Sequence, residues 1–240
     1  MKKIMILSGA GLSAESGIST FRDHDGLWEN YDVMKVCSTQ GWIEDRKLVT
    51  KFYNDRRRDI EDKKPNHAHE VFATLEEKYR GRVMHLTQNV DDLCERAGSK
   101  EVIHLHGTLT HLRCESCTEI FYVGYDSQEK HKTCPHCGNK RIRHNVVMFG
   151  EAAPAYSHIY EAMKACSLFI AIGTSGAVID ITAIAKNFTH SILIDPKRQE
   201  TVSMYDPHSY VDDYFEHFIQ KKGSEAMEEM MALIDSHMNG

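Results

Sequence analysis

Two CxxC pairs, Cys114-x2-Cys117 and Cys134-x2-Cys137, stand 16 residues apart near the middle of this 240-residue chain. Tetrahedral zinc takes four ligands at about 2.3 Å per thiolate, and two such knuckles supply them. Four thiolates leave no open position, so the site reads as structural. The surrounding residues 113–143 are rich in Cys, Lys, His and Thr and poor in large apolar side chains. A metal contributing on the order of 10 kcal/mol explains how so polar a segment stays folded. Four unrelated buried cysteines or two disulfides are the alternative. Cys37, Cys94 and Cys166 lack this spacing and read as core residues.

The chain on either side alternates in a different way. Residues 2–7, 82–87, 101–105, 168–172 and 191–194 read as strands, because they are apolar runs of strand length bounded by turn residues. Residues 46–61 and 67–79 read as helices, the second capped by Asn66 with Ala68, Val71, Phe72 and Leu75 at helical spacing. A helix after Gly176 and another over 226–234 complete the pattern. Alternating strands and helices predict an α/β fold, a Rossmann-like parallel sheet with a smaller inserted zinc-binding and helical domain. Residues 1–28, 66–107 and 145–240 are assigned to the sheet domain, and 29–65 with 108–144 to the small one.

The first strand runs into Gly9-Ala10-Gly11-Leu12-Ser13-Ala14, a match to G-x-G-x-x-G/A. Glycines there let the backbone approach a pyrophosphate, which a helix N-terminus then favours. Gly173-Thr174-Ser175 follows a later strand in the same manner. Two such loops suit one ligand across the carboxyl edge of the sheet, although each alone is also an ordinary strand-to-helix turn.

A net charge of −6 argues against general nucleic-acid binding. No apolar run reaches the roughly 18 residues of a membrane span. The basic start Met1-Lys2-Lys3 is followed by too short an apolar stretch for a signal peptide. Seven cysteines without such a segment point to a reducing compartment, the cytoplasm. A monomer is expected, without the N-terminal extension of larger proteins.

Further motifs carry a resemblance. Glu15-Ser16-Gly17-Ile18-Ser19-Thr20-Phe21-Arg22-Asp23, Gly26-Leu27-Trp28, Thr87-Gln88-Asn89-Val90-Asp91, His104-Leu105-His106-Gly107, the four cysteines and Phe149-Gly150-Glu151 occur in one order along nearly the whole chain. Together they resemble the sirtuin family of NAD-dependent protein deacylases, and most closely its bacterial CobB type. The resemblance implies that an acyl-lysine carbonyl oxygen attacks the nicotinamide ribose, nicotinamide leaves, and the acyl group ends on ADP-ribose. It makes His106 the general base, a task suited to an imidazole titrating near neutrality. His104, two positions earlier, is expected to lie on the opposite face of the strand and act as a structural partner.

By the same resemblance Gly9, Ala10, Gly11, Ser13, Glu15, Ser16, Ile18, Phe21, Arg22, Trp28, Gln88, Asn89, Val90, Asp91, Gly173, Thr174 and Ser175 bind NAD. Phe149, Gly150 and Glu151 pair with the substrate peptide as an added strand. Tyr53 and Arg56 form the Y-x-x-R of the acidic-acyl branch. Three apart on a helix, they share a face and can meet a succinyl or malonyl carboxylate, with Ala14 leaving room for it. Read without the resemblance, Tyr53 and Arg56 belong to a solvated helix face beside Arg57 and Arg58.

Two departures from the family pattern stand out. Leu193 takes the place of an Asn that contacts the adenine ribose, with Asp195 as the substitute. Asp180 replaces a Pro and leaves the following helix start open. Three rival functions have distinct signatures: an NAD-dependent oxidoreductase would release no nicotinamide, a non-enzymatic zinc-ribbon module would show no chemistry, and a mono-ADP-ribosyltransferase would leave ADP-ribose on protein.

Overall fold

The computed structural model describes residues 1–20, 32–201 and 209–240. Its main sheet has six strands: β1 (Ile4–Ser8), β2 (Val83–Thr87), β3 (Val102–His104), β7 (Leu168–Ile172), β8 (His190–Ile194) and β9 (His217–Ile219). Their order across the sheet is β3-β2-β1-β7-β8-β9. Every pairing is parallel. All five residues of β1 are buried, as are all five of β7. That is why both read as unbroken apolar runs: each face is covered.

On one face Ile4, Ile6, Ile170 and Ile192 pack with Phe72 and Leu75 of the His67–Lys78 helix and with Met227, Met230 and Ile234 of the Met227–Asn239 helix. On the other, Met5, Leu7 and Phe169 pack with Ile159 and Ala162 of the Ser157–Ala165 helix and with Ile181 and Ile184 of the Ile181–Ala185 helix. The strand boundaries differ from the sequence expectations by one or two residues. The last helix is longer than its apolar pattern, because its final turns carry Ser236, His237 and Asn239. Asp180 settles the start of the Ile181–Ala185 helix: its carboxylate accepts hydrogen bonds from the N–H groups of Thr182 and Ala183, both at 3.0 Å. A capping carboxylate thus takes the role expected of a first-turn proline.

A second sheet, antiparallel, is built from β4 (Gly107–Cys114), β5 (Ile120–Tyr122) and β6 (Ile142–Val146), in the order β5-β4-β6. It encloses a small cluster of Leu112, Cys114, Cys134 and Ile142, so the cysteine segment has a core in miniature as well as its thiolates. A further apolar cluster joins this sheet to the Arg46–Glu61 helix, through Phe52, Tyr53, Ile60, Leu109, Val146 and Met148.

Candidate active site

The strand order reverses between β1 and β7: connections run outward through β2 and β3 on one side and through β8 and β9 on the other. In a doubly wound sheet a ligand crevice opens at such a point, beyond the carboxyl ends of the strands. The two glycine loops meet there. Gly9 donates its N–H to Ile172 O at 3.0 Å and Gly11 to Gly173 O at 2.9 Å. A Cβ on Gly9 would stand 2.7 Å from Gly173 O, and one on Gly11 2.6 Å from Gly173 Cα. Gly173 itself has φ +61°. These glycines are therefore required by the contact of one loop with the other, a reason the sequence motif alone does not reveal.

The loop after β2 closes the floor. Gln88 Nε2 donates to Thr174 Oγ1 at 2.9 Å, tying it to the second glycine loop. Ser13 Oγ donates to Asp91 Oδ2 at 3.0 Å and accepts from Asn89 Nδ2 at 3.1 Å. His69 completes the group. Its Nδ1 accepts from the Asn66 N–H at 3.2 Å, so its Nε2 carries the proton and faces Ser13 Oγ at 3.4 Å. Burial pushes the His69 pKa down to about 4 and raises that of Asp91. Sequence reasoning missed His69, although its place three residues after the helix cap Asn66 was a usable signal.

The two histidines of the next strand part company. His104 places Nδ1 2.9 Å from Asn89 O and Nε2 2.7 Å from Glu95 Oε1. Burial pulls its pKa down, but Glu95 outweighs that and the net shift is upward. His106 lies beyond the end of β3, half-buried, with Nδ1 3.1 Å from Gln88 O and Nε2 2.7 Å from the Tyr156 hydroxyl. Burial lowers its pKa, against the Gln88 carbonyl. Residues two apart on a strand share a face. The rings diverge because the strand stops at His104, not because of strand alternation. Gly107 makes the turn with φ +79°, where a Cβ would fall 2.1 Å from Asn145 O. Tyr156 left no trace in the sequence reading.

Phe149 donates its N–H to Cys37 O at 2.8 Å and accepts from Thr39 N–H at 2.9 Å, forming a parallel bridge with Ser38. The Glu151 carboxylate is held by Arg143 and by the Met148 N–H, so it braces this segment from within. Tyr53 is buried in the same cluster as Ile18, Cys37 and Met148, and burial raises its pKa well above the ordinary value. Arg56, on the next turn of the helix, stands 3.6 Å from Asp59. Arg57, expected beside them in solvent, is instead fully buried.

Ala14 and Glu15 are exposed and Ile18 is buried. Glu15 accepts from the Ser224 N–H at 2.8 Å, and Ser16 Oγ from Asn66 Nδ2 at 3.1 Å. Ala10 and Ser175 are partly exposed along the two loops, and Val90 accepts from the Leu109 N–H at 2.8 Å. Asp195 accepts from the Lys197 N–H and from Gln199 Nε2, while Leu193 is buried in β8. Both border a recess with Thr174 and Val211. Phe21, Arg22 and Trp28 lie outside the described residues.

The cysteine knuckles converge. Cys114 and Cys137 sulfurs are 3.6 Å apart, Cys117 and Cys134 sulfurs 3.7 Å, and all four lie within 4.8 Å of one another. Four thiolates around tetrahedral zinc would be about 3.8 Å apart, so donor set and spacing both fit that ion. With four protein ligands the ion would be closed to substrate and would serve the fold.

A strand-order reversal where two glycine loops meet, an imidazole held by the adjoining Gln88 carbonyl and four converging cysteines define a dinucleotide-using α/β protein with a metal-stapled lobe. The Sir2 family model matches residues 9–180, and the chain belongs to that family. A Campylobacter jejuni protein named NAD-dependent protein deacylase is 52% identical over 213 residues, covering 89% of this chain and 91% of its own. A Helicobacter pylori protein of the same name is 42% identical over 208 residues, covering 82% and 86%. A solved Sir2 homologue–NAD complex superposes with TM-score 0.80 at 33% identity, covering 98% of this chain and 90% of its own. A Sir2 complex with a deacetylated p53 peptide and 3′-O-acetyl ADP-ribose gives TM-score 0.77 at 26% identity, covering 96% and 92%.

Proposed function

We propose that this chain removes acidic acyl groups, succinyl and malonyl, as well as acetyl, from protein lysines, with His106 as the general base. As a Sir2 family member with relatives so named, it is an NAD-dependent protein deacylase. The observation that carries the finer reading is the placement of Tyr53. Its ring lies in one cluster with Ile18 and Met148, next to the segment meant for the substrate peptide, and Arg56 follows one turn later on the same helix face. A phenol and a guanidinium on one face suit a distal carboxylate, the guanidinium by a two-point contact.

In this reading the acyl-lysine lies against Phe149 and Gly150. NAD is held by the loops at Gly9–Ser13, Gln88–Asp91 and Gly173–Ser175, the last two tied by the Gln88–Thr174 hydrogen bond. Asn89, fixed through Ser13, presents its amide oxygen to the ribose and carboxamide, and Asp91, held by Ser13 and the Leu93 N–H, presents the second lone pairs of its carboxylate. His106 takes the proton of a ribose hydroxyl after nicotinamide departs. The large lobe comprises residues 1–28, 66–107 and 145–240. The chain acts as a cytoplasmic monomer without nucleic-acid or membrane partners. Its charge of −6 supports the former exclusion, and no helix among the described residues is long and apolar enough to cross a bilayer.

The deciding assay measures turnover of acetyl-, succinyl- and malonyl-lysine peptides with and without NAD. Tyr53→Phe combined with Arg56→Met is expected to lower desuccinylation at least roughly tenfold more than deacetylation, the worth of one charge-assisted contact. Equal losses on both acyl groups would refute carboxylate sensing.

A further inference from the structure

The hydrogen bonds of His106 fix its tautomer. The Gln88 carbonyl can only accept, so Nδ1, 3.1 Å from it, carries the ring proton. Nε2 is then a bare lone pair, the atom a general base uses. It is occupied: the Tyr156 hydroxyl stands 2.7 Å away and must be the donor. The rings are packed at 5.7 Å between centroids. Tyr156 comes from the turn Pro154–Tyr156, a few residues beyond the segment that carries Phe149. Burial holds the phenol pKa above its ordinary value, so it keeps its proton.

One nitrogen lone pair accepts one good donor. A ribose hydroxyl can give its proton to His106 only after the phenol has turned aside. We propose that Tyr156 is a positioning residue for the base, its hydroxyl holding the place of a substrate hydroxyl on Nε2 and keeping the imidazole neutral until the sugar displaces it. This rests on His106 being the base. Tyr156 keeps its own proton throughout, and the proton removed from the ribose goes to Nε2.

Among the described residues, few groups face the ring. The loop after β2 contributes the Gln88 carbonyl, the Pro154–Tyr156 turn contributes the phenol, and the Val147 N–H at the end of β6 meets only the His106 backbone oxygen. Among the described residues, burial and the Gln88 carbonyl are what move the basicity of His106, and the Glu95 carboxylate is hydrogen-bonded to His104.

A donor to Nε2 stabilises the neutral ring, so removing it raises the pKa. In Tyr156→Phe without dinucleotide, the His106 side-chain nitrogen titration, assigned by its loss in His106→Ala, is expected to move up by roughly 0.5–1 unit, the size of one neutral hydrogen bond. The acid limb of kcat/KM for NAD, which reports the free enzyme, moves up with it, while the limb of kcat stays in place because the phenol is already displaced in the complex. An unmoved nitrogen titration, or equal movement of both limbs, overturns the proposal. Should the wild-type protein release no nicotinamide, the deacylase reading falls, and the nitrogen titration still decides the role of Tyr156.

Discussion

Arg57 is a charged side chain with no exposed surface, and its donors go to three backbone carbonyls. Nε meets Leu109 O at 2.5 Å, Nη1 meets Asp126 O at 2.6 Å and Nη2 meets His111 O at 3.1 Å. Burial lowers its pKa to about 10, still far above neutrality, so it remains a cation at working pH. It ties the Arg46–Glu61 helix to the sheet that carries the cysteines. Arg57→Met would leave three carbonyls without their donor, a loss of about 3 kcal/mol or more. Chemical denaturation measures this, and Arg57→Lys is expected to recover little, because a compact ammonium cannot span three diverging acceptors. A variant within about 1 kcal/mol of the parent would show that the carbonyls find other partners. Nothing in Arg56-Arg57-Arg58 marks the middle residue as buried except its helical phase. Tyr53 and Arg57 are four apart and both point inward, a face the run of charges conceals.

At the scale of elements, the His67–Lys78 helix begins with a cap that also reaches the first glycine loop. Asn66 Oδ1 accepts from the N–H groups of Ala68 and His69, while its Nδ2 donates to Leu12 O at 2.8 Å and to Ser16 Oγ. The cap was legible from Asn before an amphipathic run. Its second task was not, since residues 12 and 66 meet only when β1 and the helix pack. Asn66→Ala should cost about 1–2 kcal/mol, at the upper end for a lost cap, and should loosen the Gly9–Ser13 loop. Hydrogen exchange at Leu12 to Ser16 would report the loosening, and unchanged protection there would confine Asn66 to the helix. The cysteine module shows the same division. CxxC spacing announced the metal set, whereas the three strands around it pair residues distant in the chain, such as Arg113 with Arg143.

For the whole molecule, three interior imidazoles set the response to acid. Burial drives the pKa of His144 to about 2, of His85 to about 3 and of His69 to about 4. Each is depressed below its unfolded value, about 6.5. Below that value the unfolded chain binds protons that the folded chain refuses, so stability falls as pH drops, down to the folded pKa of each ring. Each such ring steepens the fall by up to about 1.4 kcal/mol per pH unit. Thermal midpoints should be level above pH ~7 and should drop steeply between about 6 and 4. A flat profile across that range would mean the rings are solvated. No count of the 15 histidines separates these three from the rest.

The sequence by itself determined what local chemistry determines: buried strands from apolar runs, a helix start from Asn66, a metal set from cysteine spacing, and the motif order of a family. The tertiary structure alone decided that Gly9, Gly11 and Gly173 exist for each other, that Arg57 is interior, how His104 and His106 come to diverge, and that Tyr156 meets His106. These depend on contacts between residues distant in the chain, and such contacts are fixed by how the layers pack, which no window of neighbouring residues encodes.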